Sequence, residues 1–265
     1  MIRQISSTQN KEIKNLVKLT DKSRVRPQTG TFVIEGKREL SLAIKGGYTI
    51  EKLFYYPELF SESEALSMER YNIQITEISR TVFEKLAHRT TTEGIIATAH
   101  AKNHSLKTLE FKTTNPLILV AEAPEKPGNI GALLRTADAA NVDTVIIANP
   151  KSDLYNPNII RSSVGCVFTC NIAMGTTEEI IYHLKENDIS IYCAALQASK
   201  PYNTIDFTVG SAIVVGTEST GLTDSWLRFS DQNIMIPMQG EIDSLNVSVA
   251  AGILIFEAKR QRNFS

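Results

Sequence analysis

Four short polar side chains, Asp243, Ser244, Asn246 and Ser248, crowd the start of an apolar, Ala-rich segment that runs to Glu257. A short apolar strand, Ile234 to Ile236, leads into them through Pro237 and Gly240. Ser, Asn and Asp satisfy the orphan N–H groups at a helix start, and such an end also binds ligands. A core helix needs one cap, so the surplus predicts a binding site. Ser244 and Asn246 are two apart and do not share a helix face, but from a looped segment both can reach one pocket.

Two more polar clusters follow apolar strands. The first is Pro127-Gly-Asn129-Ile-Gly131-Ala-Leu-Leu-Arg135-Thr-Ala. Gly128 and Gly131 would let a backbone approach closely, and Asn129 is placed at the N-cap of the helix. Arg135 sits among apolar residues, where a permanent charge calls for an anionic partner; the plainer alternative is an arginine snorkelling to the surface. The second cluster is Val214-Val-Gly216-Thr-Glu218-Ser-Thr-Gly221-Leu. It has no Gly-Lys-Ser/Thr, and Glu218 would repel a triphosphate, so it is not a phosphate loop. Nor does Gly128-Asn-Ile-Gly131 match the dinucleotide Gly-x-Gly-x-x-Gly pattern. A cationic or hydroxyl-bearing ligand suits Glu218 better; the alternative is an ordinary turn.

The elements that must position these clusters come in two runs. Residues 6–20 read as a helix capped by Ser6-Ser-Thr, with Ile13, Leu16, Val17 and Leu19 at helical spacing. Strand and helix then alternate over 30–101, with a helix spanning 61–71. Residues 102–115 are mostly polar and read as a linker. A second alternation follows, including a strand at 168–172. Its continuous apolar strands predict a sheet buried on both faces and hence mostly parallel. The expected organisation is an N-terminal α/β domain at 1–101, the linker at 102–115 and an α/β domain at 116–265. All three clusters fall at strand-to-helix transitions of the second, where open α/β sheets bind ligands.

The 265 residues carry a net charge of −1, but nine cations against three anions give residues 1–38 a net +6 and leave −7 elsewhere. A basic arm on an acidic body points to a nucleic-acid partner; the alternative is a solvated helix face. No run of about 18 apolar residues exists, so no membrane span is expected. The first residues, Met1-Ile-Arg-Gln-Ile-Ser-Ser, hold no apolar signal segment. Cys166, Cys170 and Cys193 form an odd set without metal-type spacing and read as reduced thiols. The expectation is a cytoplasmic protein without a metal.

Asn129-Ile-Gly-Ala-Leu-Leu-Arg135-Thr-Ala, Gly216-Thr-Glu218-Ser-Thr-Gly221-Leu and Ile236-Pro-Met…Ser244-Leu-Asn246-Val-Ser-Val-Ala resemble, in order and spacing, the three motifs of the SpoU (TrmH) family of RNA ribose 2′-O-methyltransferases. Gly30-Thr-Phe-Val-Ile-Glu35-Gly36-Lys-Arg-Glu-Leu resembles that family's RNA substrate-binding domain, which has a ribosomal-protein-like α/β fold. One departure is Thr91-Thr-Glu93-Gly94, where relatives carry Ser-Pro-Gln-Gly. The resemblance implies a deep trefoil knot in the C-terminal domain, an exception to the rule against threaded connections. It implies a homodimer with each site completed across the interface. It also implies S-adenosylmethionine held near Leu196, Gly216, Ile236 and Leu245. Arg135 would then clamp the RNA phosphate and stabilise the developing alkoxide, since a guanidinium with a pKa above about 12 is a poor base. Asn129 would orient Arg135 or the ribose, Glu218 and Ser244 would shape the substrate side, and Asn246 would support the cofactor loop. The implied substrate is 23S ribosomal RNA, preferred because an N-terminal domain is present. Three alternatives remain: tRNA as acceptor, a non-catalytic RNA-binding protein on the same fold, and a small-molecule α/β enzyme.

Overall fold

The two runs of strands become two separate sheets in the computed structural model, which describes residues 2–87, 93–197, 199–217 and 220–264. The chain divides into two compact units: Met1–Lys102 with Asp153–Thr169, and Asn103–Ser152 with Cys170–Ser265.

The first unit comprises β1 (Arg3–Ile5), α1 (Lys11–Asp21), α2 (Val25–Thr29), β2 (Thr31–Glu35), α3 (Lys37–Lys45), β3 (Ile50–Tyr55), α4 (Glu62–Leu66), β4 (Gln74–Ile78), α5 (Arg80–Leu86) and β5 (Ile95–His100). Its sheet runs β1-β4-β3-β5-β2, parallel over the first three strands and antiparallel over the rest. Ile13 and Leu16 of α1 and Val82, Phe83 and Leu86 of α5 pack on Ile5, Phe54, Ile78 and Ile96 of the sheet. The helix expected over 6–20 is therefore shorter. Ile5 is buried in a strand pairing with β4, and Asn10, whose side chain accepts from the Glu12 amide at 2.8 Å, is the cap. The helix expected over 61–71 is α4 followed by a 3-10 turn, Ser67–Tyr71. Glu93 of the departing Thr-Thr-Glu-Gly stretch accepts from the Lys37 amide at 2.5 Å at the start of α3; Thr91 and Thr92 lie outside the described residues.

This unit borrows a later stretch of chain. Asp153–Thr169, with α7 (Pro157–Ser162), supplies Tyr155 and Phe168 to an aromatic cluster with Phe32 and Tyr48. Phe32 and Tyr155 stack at 4.1 Å between ring centroids, and the two tyrosine hydroxyls lie 3.2 Å apart. Arg26 of α2 is buried; it donates to the Leu19 and Thr20 carbonyls and forms an ion pair with Asp153.

The second unit holds β6 (Leu117–Glu122), α6 (Pro127–Ala139), β7 (Thr144–Ala148), β8 (Ile172–Gly175), α8 (Thr177–Glu186), β9 (Ser190–Ala194), β10 (Lys200–Pro201), β11 (Ser211–Val215), α9 (Asp224–Phe229), β12 (Gln232–Met235) and α10 (Val247–Gln261). Its seven strands run β10-β12-β9-β11-β6-β7-β8, and every pairing is parallel. Strands β6, β7 and β11 are buried along their whole length, as continuous apolar runs require. Ile180, Ile181 and Leu184 of α8 and Trp226 of α9 cover Ile118, Val120, Ile146, Ile191 and Val214. Alternate sheet residues point to the opposite face, where α10 lies along α6 over β6 and β11.

Two expectations change here. The strand expected over 168–172 is a 3-10 turn ending at Phe168, followed by β8; Phe168 is apolar because it fills the first unit's aromatic cluster. The stretch read as a linker contributes Leu106, Leu109 and Phe111 to the second unit's core. Three apolar residues among eleven polar ones gave no period to read.

Candidate functional site

The carboxyl ends of β9, β11 and β12 open onto one cavity of about 560 Å³. Three loops that are far apart in sequence meet there: Ala194 to Gln197, Val215 to Leu222 (Glu218 and Ser219 lie outside the described residues), and Ile234 to Val247 with the first turns of α10. All four residues expected to hold the cofactor, Leu196, Gly216, Ile236 and Leu245, line it, as do Ser244 and Asn246. Asp243 is the one charged side chain among the described lining residues, and no lysine or arginine is present. A mostly apolar cavity with one acid and no cation among its described lining residues suits an adenosyl group with a positively charged tail and disfavours a phosphate chain. The residues present therefore fit S-adenosylmethionine.

Local geometry explains the loop after β11. The Thr217 amide donates to the Gly221 carbonyl and the Gly221 amide to the Thr217 carbonyl, each at 3.1 Å. A Cβ on Gly216 would lie 2.3 Å from the Gly221 carbonyl carbon, so glycine there is a steric necessity. Gly221 itself sits at φ +68°, which glycine adopts without cost.

Glu122, which sequence reasoning passed over, anchors the far end of this loop. Its side chain is buried at the end of β6. It accepts from the Thr223 amide at 2.8 Å, the Thr223 hydroxyl at 2.8 Å and the Thr177 hydroxyl at 3.3 Å. Three donors meet the requirement that a buried carboxylate be hydrogen-bonded. The residue after Leu222 is thereby tied to the sheet. A lone acid closing the apolar run Leu117 to Ala121 was the available signal.

Asn246 caps α10: its side-chain oxygen accepts from the Ser248 amide at 3.0 Å and hydroxyl at 2.6 Å. Its amide nitrogen donates to the Asn129 side chain at 3.3 Å. Asn129 is the third residue of α6, not its cap; Lys126 holds the cap position and Pro127 opens the helix, its fixed φ suiting that place. Asn129 also lines a smaller cavity of about 100 Å³ with Glu122, Gly216 and Val247. Gly128 has open space where a Cβ would stand, so close approach does not explain it.

Arg135 is not brought to this cluster. It lies six residues beyond Asn129 on α6, about 9 Å along the axis, and is exposed. It makes no hydrogen bond or ion pair among the described residues. Glu218 lies outside the described residues, so its place is not assigned. Burial pushes the Cys193 thiol up to about 12, which keeps it protonated and unreactive. No group of His, Cys, Asp and Glu among the described residues could hold a metal ion. No helix among them is long and apolar enough to cross a membrane.

Fold and site together are those of a parallel α/β unit with a cavity at the carboxyl ends of its strands. The sequence profile of the SpoU rRNA Methylase family matches residues 116–256, and that of an MRM3-like substrate binding domain matches residues 10–97. The chain belongs to the SpoU rRNA methylase family. It is 30% identical to the 23S rRNA (guanosine(2553)-2′-O)-methyltransferase RlmP of Bacillus subtilis over 97% of this chain and 100% of that one. Among solved structures, an RNA 2′-O ribose methyltransferase superposes with a TM-score of 0.83 at 35% identity, covering 98% of this chain and 99% of the other. An AdoMet-bound rRNA methyltransferase from Sinorhizobium meliloti superposes with a TM-score of 0.89 at 26% identity, covering 98% of each.

Proposed function

We propose that this protein transfers a methyl group from S-adenosylmethionine to a ribose 2′-hydroxyl of 23S ribosomal RNA in the cytoplasm. One observation carries the reading: two of the three motif segments, at 216–222 and 236–247, meet Ala194 to Gln197 around a single cavity whose described lining residues include no lysine or arginine. Bound there, the cofactor supplies an electrophilic methyl on a sulfonium. Leu196, Ile236 and Leu245 exclude water around the adenosyl group, and the Gly216 loop forms the opposite wall. Ser244 and Asn129 position the ribose. Arg135 holds the adjoining phosphate and stabilises the alkoxide as the hydroxyl proton passes to solvent water. Residues 236–246 form the threaded part of a deep trefoil knot, a reading supported by their lining the same cavity as Ala194 to Gln197 after β9.

The acting Arg135 comes from a second copy. Its exposure and its distance from Asn129 on one helix support this. So do four exposed apolar residues on the C-terminal segment, Ile242, Leu245, Val249 and Phe256.

Tritium transfer from labelled S-adenosylmethionine to purified rRNA and tRNA, with Arg135→Ala as control, tests the function. Label in rRNA from the wild type alone is expected. Label in tRNA alone would move the reading to tRNA, and no label in either would sink it. Gly216→Ala is expected to weaken cofactor binding about tenfold or more, because overpacking against backbone costs about 1–3 kcal/mol; titration calorimetry measures it.

The RNA also needs a backbone contact. Lys11, Lys14, Lys18, Lys22 and Arg24 are exposed on and after α1 without an ion pair among the described residues. Lys11, Lys14 and Lys18 stand three and four residues apart on one helix face. Replacing these three by Gln is expected to flatten the log–log salt dependence of RNA binding by about two to three, at about 0.7–0.9 per phosphate contact. Fluorescence anisotropy over a salt series reads it, and an unchanged slope would remove α1 from the interface.

A further inference from the structure

The first unit contains a cleft of about 360 Å³ between α3 and the Ser67–Tyr71 turn, with no part in the site above. Its floor is apolar, built from Leu40, Ile44 and Phe60. Its rim carries Lys45, Arg70 and Tyr71. Tyr71 is 43% exposed, and the Arg70 guanidinium lies over its ring at 4.8 Å. Lys45 and Arg70 make no ion pair among the described residues. The one acid on the rim, Glu64, is already paired with Lys37 at 2.8 Å. The open charge of the cleft is therefore positive.

We propose that this cleft takes one unpaired nucleotide of the RNA substrate, its base stacked on Tyr71 and its phosphate held by Lys45 and Arg70. The inference rests on the reading of the protein as an RNA methyltransferase and adds where the RNA is read. Aromatic rings and guanidinium planes bind splayed-out bases, because every base has a π-face. Lys45 and Arg70, neither in an ion pair among the described residues, match the phosphate that accompanies each base. The volume lies at the low end of the about 300–1,000 Å³ of small-ligand sites, which suits a single nucleotide. Paired bases of an A-form duplex present no face to stack on, so the nucleotide must be unpaired. A purely apolar partner would leave the rim cations unmatched.

The test uses the full-length enzyme, 23S rRNA and saturating S-adenosylmethionine. Tyr71→Ala is expected to raise the KM for RNA about tenfold, leaving kcat, cofactor affinity and the melting temperature unchanged. Tyr71→Phe keeps the ring and is expected to behave as wild type. Lys45→Gln with Arg70→Gln is expected to raise KM and flatten its salt dependence. A KM within twofold of wild type for Tyr71→Ala, or equal losses for the Ala and Phe variants, would overturn the proposal. Anisotropy with the same RNA separates the two readings. A wild type that binds RNA as tightly as Tyr71→Ala does overturns the cleft alone; a wild type that binds none overturns the cleft and the proposed function together.

Discussion

Arg135→Lys is expected to bind S-adenosylmethionine as the wild type does and to lose methyl transfer by about two to three orders of magnitude, the size of effect seen when one oriented charge stabiliser is removed. Arg135 lines neither the cavity of about 560 Å³ nor that of about 100 Å³, so its replacement leaves the proposed cofactor walls in place. Lysine keeps the charge but loses the planar fork that engages two phosphate oxygens at once. Single-turnover transfer and calorimetry on the same preparation read the two halves of the result. A variant with near wild-type transfer would remove the arginine from the chemistry. Mixing Arg135→Ala with Gly216→Ala, at a cofactor concentration too low for Gly216→Ala alone to turn over, tests the source of the guanidinium. If it acts on a second copy, mixed dimers regain one intact site and activity returns. If it acts within its own chain, the mixture stays inactive.

Asp153→Ala is expected to cost about 3–5 kcal/mol, the range for leaving a buried charge without its partner. The Arg26 side chain is 3% exposed, and its remaining hydrogen bonds go to neutral carbonyls. Replacing both residues by apolar ones of similar size should cost much less, since no charge is then stranded. Urea denaturation followed by circular dichroism reads both. A loss below about 1 kcal/mol for Asp153→Ala would mean that water reaches Arg26 and that the pair behaves like a surface one.

The second unit was easier to read from sequence than the first. Its strands at 117–121, 144–148 and 211–215 are buried on both faces, so each stands out as an apolar run between loops. That a cavity opens there was also legible, because the polar surplus at Asp243 to Ser248 exceeds what one helix cap uses. Resemblance, not spacing, supplied Leu196 and Ile236, which carry no chemistry of their own. What escaped was whatever depends on distant chain. The type of Asn129 suits a cap position, but its side chain instead accepts a bond from Asn246, 117 residues on. Phe168 read as strand because burial in a cluster and burial in a strand look alike from sequence. Glu122 left only one acid at the end of an apolar run, without a hint that Thr177 and Thr223 converge on it.

The loan of Asp153–Thr169 to the first unit also sets a schedule. Thr169 lies 67 residues after Lys102. At about 5–20 residues per second of synthesis, that is about 3–13 seconds. For that interval on the ribosome the nascent sheet has its strands but neither Tyr155 nor Phe168 to lay against Phe32 and Tyr48. Its earliest domain is thus finished out of order, with an aromatic face left bare until the later segment arrives.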